Sequence, residues 1–228
     1  MRSIRLPPPA ALLFDLDGTL VDTVATRLEA WQKALGQFDI VADRDEVARL
    51  IGSDGKRLAR VVAEAAGSPI DWDEASAIDR RAGEIYDELN THPRPLPGAA
   101  ELLHELDRRH IPWAIATSSM QPQVRASIAA LNLPRPPMIV DGSHVEHAKP
   151  APDLLLRAGL ELRAASDSTW YVGDSIWDMQ AATSAGMPSI GVTTGFANAD
   201  DLRASGAWLV VSRLTELVQV ITEAKDPR

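Results

Sequence analysis

The chain has 228 residues, is 45% hydrophobic, and carries a net charge of −9 with no cysteine. That length supports one large domain, or one domain with a smaller insert. The acidic balance excludes nucleic acid and anionic membrane as bulk-charge partners, and the missing thiols exclude disulfides, cysteine-based zinc sites and thiol nucleophiles.

The N-terminal "MRSIRLPPPA" has two arginines but no apolar core of a secretory signal, and no apolar run is long enough to span a bilayer. A cytoplasmic protein is therefore expected, with "LPPPA" stiffening a short arm into the first strand. "ALLFDL" (Ala11–Leu16) is that strand. It closes on "FDLDGTLVD" (Phe14–Asp22), where two aspartates stand one residue apart and "DGT" follows directly.

The segment from about Thr23 to His92 has helical patterns, "TRLEAWQKALGQF" and "DGKRLARVVAEAAG", and no clear strand. "THPRPLPG" (Thr91–Gly98), with three prolines and a glycine, reads as a stiff return linker. Beyond it, apolar runs at Pro112–Thr117, Pro137–Gly142, Thr169–Asp174, Pro188–Val192 and Ala207–Val211 alternate with helical patterns at Ala99–Arg109, Gln123–Leu131, Pro152–Leu160, Ile176–Ala185 and Leu214–Ala224. Continuously apolar strands alternating with helices predict an α/β fold, a Rossmann-like parallel sheet with helices on both faces. An all-helical insert is expected between its first strand and the rest. The domains are then 1–21 with 95–228 (core) and 22–94 (insert).

In such sheets ligands bind at the carboxyl ends of strands. Asp15, Asp17, Thr117 and Asp174 all fall at such ends, and Asp178 lies one helical turn beyond Asp174. Converging carboxylates are costly unless a cation joins them. An oxygen-only ligand set suits a hard ion, Mg²⁺ first. Thr117 and Lys149, the latter in the loop "HAKPAPD", suit phosphate oxygens. The glycine of "DGT" lets the backbone approach closely.

These pieces, "DLDGTLVD", Thr117 of "IATSS", Lys149 of "KPAPD" and "GDSIWD" (Gly173–Asp178), resemble in order and spacing the haloacid dehalogenase superfamily of phosphohydrolases. Within it they resemble the helical-cap relatives of phosphoglycolate phosphatase and β-phosphoglucomutase. The resemblance implies Asp15 as nucleophile forming an aspartyl-phosphate, and Asp17 as general acid and then base. It implies Mg²⁺ on the Asp15 carboxylate, the Asp17 main-chain carbonyl and the Asp174 carboxylate, with Asp178 orienting the metal's water shell or Lys149. Thr117, Ser118 and Lys149 are the implied phosphoryl ligands, and the insert is the implied cap, which reads the leaving group.

Two cap stretches differ from named relatives. "LVDTVATRLEAW" puts Arg27 where the glucose-phosphate mutase has a histidine. Arg27 is a candidate contact for an anionic substrate, or else a solvated helix arginine. "IGSDGKRL" (Ile51–Leu58) resembles the cap specificity loop, with Gly52 first. It puts Gly55 where the mutase has arginine and phosphonoacetaldehyde hydrolase its lysine, and leaves Lys56 to reach the substrate's distal end.

"HVEH" (His144–His147) lacks a third ligand for zinc, and "GSDGK" lacks the spacing of a nucleotide P-loop. Trp31, Trp113, Trp170 and Trp208 are expected in the core or in helix packing. Trp177 is expected at the site entrance or packed behind its motif. The expected function is a Mg²⁺-dependent phosphatase acting on a small phosphorylated metabolite, a sugar phosphate or a phosphoglycolate-like ester, as a monomer or dimer. The alternatives are a phosphomutase on the same core and a non-catalytic phosphometabolite-binding protein.

Overall fold

The structure is a computed structural model and describes residues 8–223. The greater part of the N-terminal arm and Ala224 lie outside the described residues. Six parallel strands form one sheet: β1 (Ala11–Phe14), β4 (Trp113–Ala116), β5 (Ile139–Val140), β6 (Thr169–Gly173), β7 (Ser189–Val192) and β8 (Leu209–Val211). Their order is β5-β4-β1-β6-β7-β8. β1 pairs with β4 on one side and β6 on the other. The strand order thus reverses direction at β1, and a crevice opens past its carboxyl end.

Both faces of the sheet are covered, as the apolar strands require. Every residue of β1 and β6 is buried. On one face Leu12, Phe14, Ile115 and Val172 pack against α5 (Ala99–Arg108) and α10 (Leu214–Glu223). On the other, Leu13, Ala114, Ala116 and Tyr171 pack against α7 (Asp153–Leu162) and α8 (Ile176–Ala185). The alternation along β1 is the period of two that a strand imposes. Trp170 and Trp31 are buried, and Trp113 packs at the margin of the first cluster. Trp208 departs from expectation: it is 39% exposed, because it leads into β8 at the edge of the sheet.

Between β1 and α5 the chain builds four helices, α1 (Val24–Gln37), α2 (Arg44–Leu50), α3 (Gly55–Ala65) and α4 (Trp72–Leu89), around a separate apolar cluster that includes Leu28, Trp31, Leu58, Ile78 and Tyr86. α4 starts on a capping box, with the Asp71 side chain accepting from backbone N–H groups and Glu74 reaching back. The chain enters and leaves this bundle through one antiparallel ribbon, β2 (Val21–Asp22) with β3 (Arg94–Pro95). The proline-rich return therefore holds a strand as well as a linker. No helix among the described residues is long and apolar enough to cross a membrane.

Candidate active site

The crevice beyond β1 gathers the predicted carboxylates around one lysine. The Lys149 ammonium, 1% exposed, donates to Asp15 Oδ1 at 2.5 Å and lies 2.8 Å from Asp178 Oδ1. Burial alone would strip its proton, but the two carboxylates raise its pKa instead. Asp178 is also the N3 residue of α8's capping box. Its Oδ2 accepts from the backbone N–H and the hydroxyl of Ser175, and its Oδ1 also accepts from the Tyr171 hydroxyl at 2.8 Å. The spacing in "GDSIWD" thus comes from helix capping: a strand end at Asp174, a cap at Ser175 and its partner three residues on.

Asp15, Asp174 and Asp178 each bring a carboxylate oxygen within 4.8 Å of the others, a cluster able to hold a metal ion. The demand for one is visible in the protonation equilibria. Burial, reinforced by Asp178 and Asp17 and only partly offset by Lys149, pushes Asp15 up to about 7. Burial together with Asp178 and Asp15 also raises Asp174 well above the carboxylate range, although Thr19 donates to its Oδ1 at 2.8 Å. Asp178 has both oxygens engaged, whereas among the described residues Asp15 Oδ2 and Asp174 Oδ2 receive no donor. Those two free, hard oxygens fit a divalent cation, whose charge would reverse both shifts. Gly18 permits this closeness. Its φ is +83°, and a Cβ there would run into the Asp174 carboxylate.

Asp17 is held differently. Its Oδ1 accepts from the hydroxyls of Thr23 and Tyr86, both at 2.7 Å, and its Oδ2 from Arg27 at 2.8 Å and Ser119 at 2.6 Å. Burial opposes its charge, but the Arg27 guanidinium and the hydroxyls of Ser119, Thr23 and Tyr86 together hold the carboxyl below its ordinary value. Arg27 is not a solvated helix arginine. Its side chain is 12% exposed, it also donates to Gln123 Oε1 at 3.0 Å, and it stacks 3.5 Å from the Tyr86 ring centroid. The helical bundle therefore reaches the core site through Arg27 and Tyr86. Sequence reasoning reached Arg27 but missed Tyr86, Thr23 and Ser119. Ser119 and Thr23 adjoin the quoted motifs, whereas nothing near Tyr86 ties it to a residue 69 positions away.

The remaining candidates line the same cavity of about 830 Å³ as Asp15, Asp17 and Asp174. Thr117 is buried at the end of β4, its hydroxyl accepting from Ser119 N–H at 3.2 Å. Ser118 donates to the Gly52 carbonyl at 3.3 Å, joining the core to the bundle's Ile51–Leu58 loop. Lys56 is an exposed residue of the cavity wall. Trp177 is neither at the entrance nor behind its motif. It is 7% exposed and inserts from α8 into the bundle's apolar cluster, where its Nε1–H donates to the Arg49 carbonyl at 3.0 Å. His144 faces Asp141, and His147 faces Asp153.

The chain is similar to known proteins in sequence and in fold. A model of the haloacid dehalogenase-like hydrolase family matches residues 12–192. The chain is 30% identical to the probable phosphatase IndB of Dickeya dadantii, over 91% of each chain. It is 29% identical to an N-acetylmuramic acid 6-phosphate phosphatase of Pseudomonas putida, over 94% of this chain and 96% of that one. The crystal structure of a hydrolase from Pseudomonas syringae superposes with a TM-score of 0.88 at 31% identity, covering 95% of this chain and 99% of the other. With its strand-end carboxylates in the sheet crevice and its family model spanning most of its length, the chain belongs to the haloacid dehalogenase-like hydrolases.

Proposed function

We propose that this phosphoric monoester hydrolase uses Mg²⁺ to cleave a small phosphomonoester, a sugar phosphate or a phosphoglycolate-like metabolite, through an aspartyl-phosphate on Asp15. The observation that carries the reading is the pair of donor-free oxygens on Asp15 and Asp174, set beside a buried ammonium at a strand-order switch point.

Asp15 attacks phosphorus in line with the leaving oxygen. Asp17 gives that oxygen its proton, then takes one from the water that hydrolyses the intermediate. Lys149, Thr117 and Ser118 bind the oxygens of the transferring phosphoryl group, and Asp178 holds Lys149 in place. The Asp15 and Asp174 carboxylates and the Asp17 main-chain carbonyl would hold Mg²⁺, which would supply charge neutralisation when bound. Residues 22–94 act as a cap on the ribbon, and its descent excludes water from the first half-reaction.

Phosphate release from a panel of phosphomonoesters with Mg²⁺ tests the reading. Asp15→Asn is expected to lower release at least about 10³-fold with the circular dichroism spectrum unchanged. Turnover retained in that variant would remove Asp15 as nucleophile. Release of stoichiometric inorganic phosphate separates hydrolysis from a phosphomutase on the same core, and turnover itself excludes a silent binding protein.

A further inference from the structure

The cavity has a second wall, away from the phosphoryl machinery, made by the helical bundle. Asp79 of α4 stands there among Asp54, Gly55, Lys56 and Arg80. Its carboxylate lies directly against Gly55: a Cβ on residue 55 would collide with Asp79 Oδ1 and Cγ. Gly55 opens α3 with an ordinary helical backbone, so the missing side chain serves space there and not conformation.

Among the described residues no group donates a hydrogen bond to Asp79, and Lys56 and Arg80 act on it only through space. Burial, with Asp54 adding to it, accordingly pushes its carboxyl up to about 6. Its carboxylate lines the cavity and is open to a ligand's hydroxyl donors, which would take the place of water there.

We propose, on the basis of the phosphatase reading above, that Asp79 is the specificity residue for the leaving group. It accepts hydrogen bonds from the hydroxyls of a neutral, polyhydroxylated phosphomonoester and turns away esters that end in a carboxylate or a second phosphate. The charges around it select that class. Asp54 and Asp79 repel an anionic tail. Glu84 and Asp87 on the same wall add to that repulsion and outweigh Lys56 and Arg80, which among the described residues have no ion-pair partner and can donate to neutral hydroxyls. Arg27, the cation otherwise suited to an anionic tail, is committed to Asp17, Ser119 and Gln123. A volume of about 830 Å³ lies within the range of small-molecule sites. A site built to hydrogen-bond a hydroxyl discriminates because an ester without one displaces water from the acceptor and gives no donor in its place.

The test measures kcat/KM of the Mg²⁺-loaded enzyme for a hexose phosphate, for phosphoglycolate and for an aryl phosphate with no hydroxyl. The wild type is expected to prefer the hexose phosphate over phosphoglycolate. Asp79→Leu should lower the ratio of hexose phosphate to aryl phosphate by about 10–100-fold. Asp79→Asn, which keeps an acceptor, should retain most of the ratio. Gly55→Ala should reproduce the fall by displacing the carboxylate, and it tests the same point if Asp79→Leu folds poorly. An unchanged ratio in both Asp79→Leu and Gly55→Ala overturns the inference, and so does a wild type that prefers phosphoglycolate. No phosphate release from any of the three esters by the wild type overturns the phosphatase reading itself, and this inference with it.

Discussion

At the scale of single residues, Asp17 and Arg27 form the contact on which the proposed chemistry turns. The group proposed to hand over a proton is held as a carboxylate, below its ordinary value, by a guanidinium and three hydroxyls. Replacing Arg27 with Met leaves burial opposed only by those hydroxyls, and the Asp17 pKa rises. With Asp17 as the acid, the alkaline limb of the kcat/KM profile is expected to move to higher pH in Arg27→Met. A limb that stays in place would assign the proton to another group. Stability should respond as well. A depressed carboxyl contributes stability above its unfolded value of about 3.9 and loses it as pH falls through the folded value. Arg27→Met should therefore cost about 3 kcal/mol at neutral pH, the low end for a buried pair because three donors remain. The difference in denaturant midpoint should narrow in acid.

At the scale of elements, Trp177 ties the helix that carries Asp178 to the bundle. α8 begins one residue after Ser175, and its second residue is a core tryptophan of the other unit. The Arg57 guanidinium stacks over it at 4.7 Å, and nearby the Asp54 N–H donates to the Lys149 carbonyl at 2.8 Å. Trp177→Ala should destabilise the protein by about 3–5 kcal/mol through the cavity left in the bundle. Trp177→Phe should recover much of this, lacking only the bond to Arg49; both follow from urea unfolding. Much of the element pattern was legible because strands buried on both faces leave unbroken apolar runs such as "TWYVG", and because capping fixes the spacing of Asp174 and Asp178. The β2–β3 ribbon was hidden because its two halves lie more than seventy positions apart in sequence and are two residues each, too short to show an alternation. α2 and α9 (Ala199–Ala204), of seven and six residues, are too short to show a helical period. Tyr86 and Asp79 sit in α4, and sequence does not show which turn of a helix meets the site.

Charge sets the behaviour of the molecule as a whole. The chain is acidic overall and concentrates three buried aspartates on one point. A carboxyl raised to about 7, as Asp15 is, contributes stability that is fully present below its unfolded value and lost as pH rises through the folded one. The metal-free protein should therefore weaken between about pH 4 and about pH 7. Mg²⁺ should restore this, with a thermal shift small near pH 5 and largest near pH 8, where saturation at about 100 Kd is worth about 2.7 kcal/mol. Asp174→Asn should lose most of the response, and a shift independent of pH would place the ion elsewhere. The single ribbon joining the two units has a further consequence. Val21–Asp22 and Arg94–Pro95 run side by side, about 4.8 Å apart as paired strands must be, so entry and exit form one narrow junction. A short turn of the hairpin kind could bridge it. The bundle is thus a graft whose exchange leaves every strand of the main sheet in its order, provided the replacement supplies again the partners that Thr23, Arg27 and Tyr86 give Asp17.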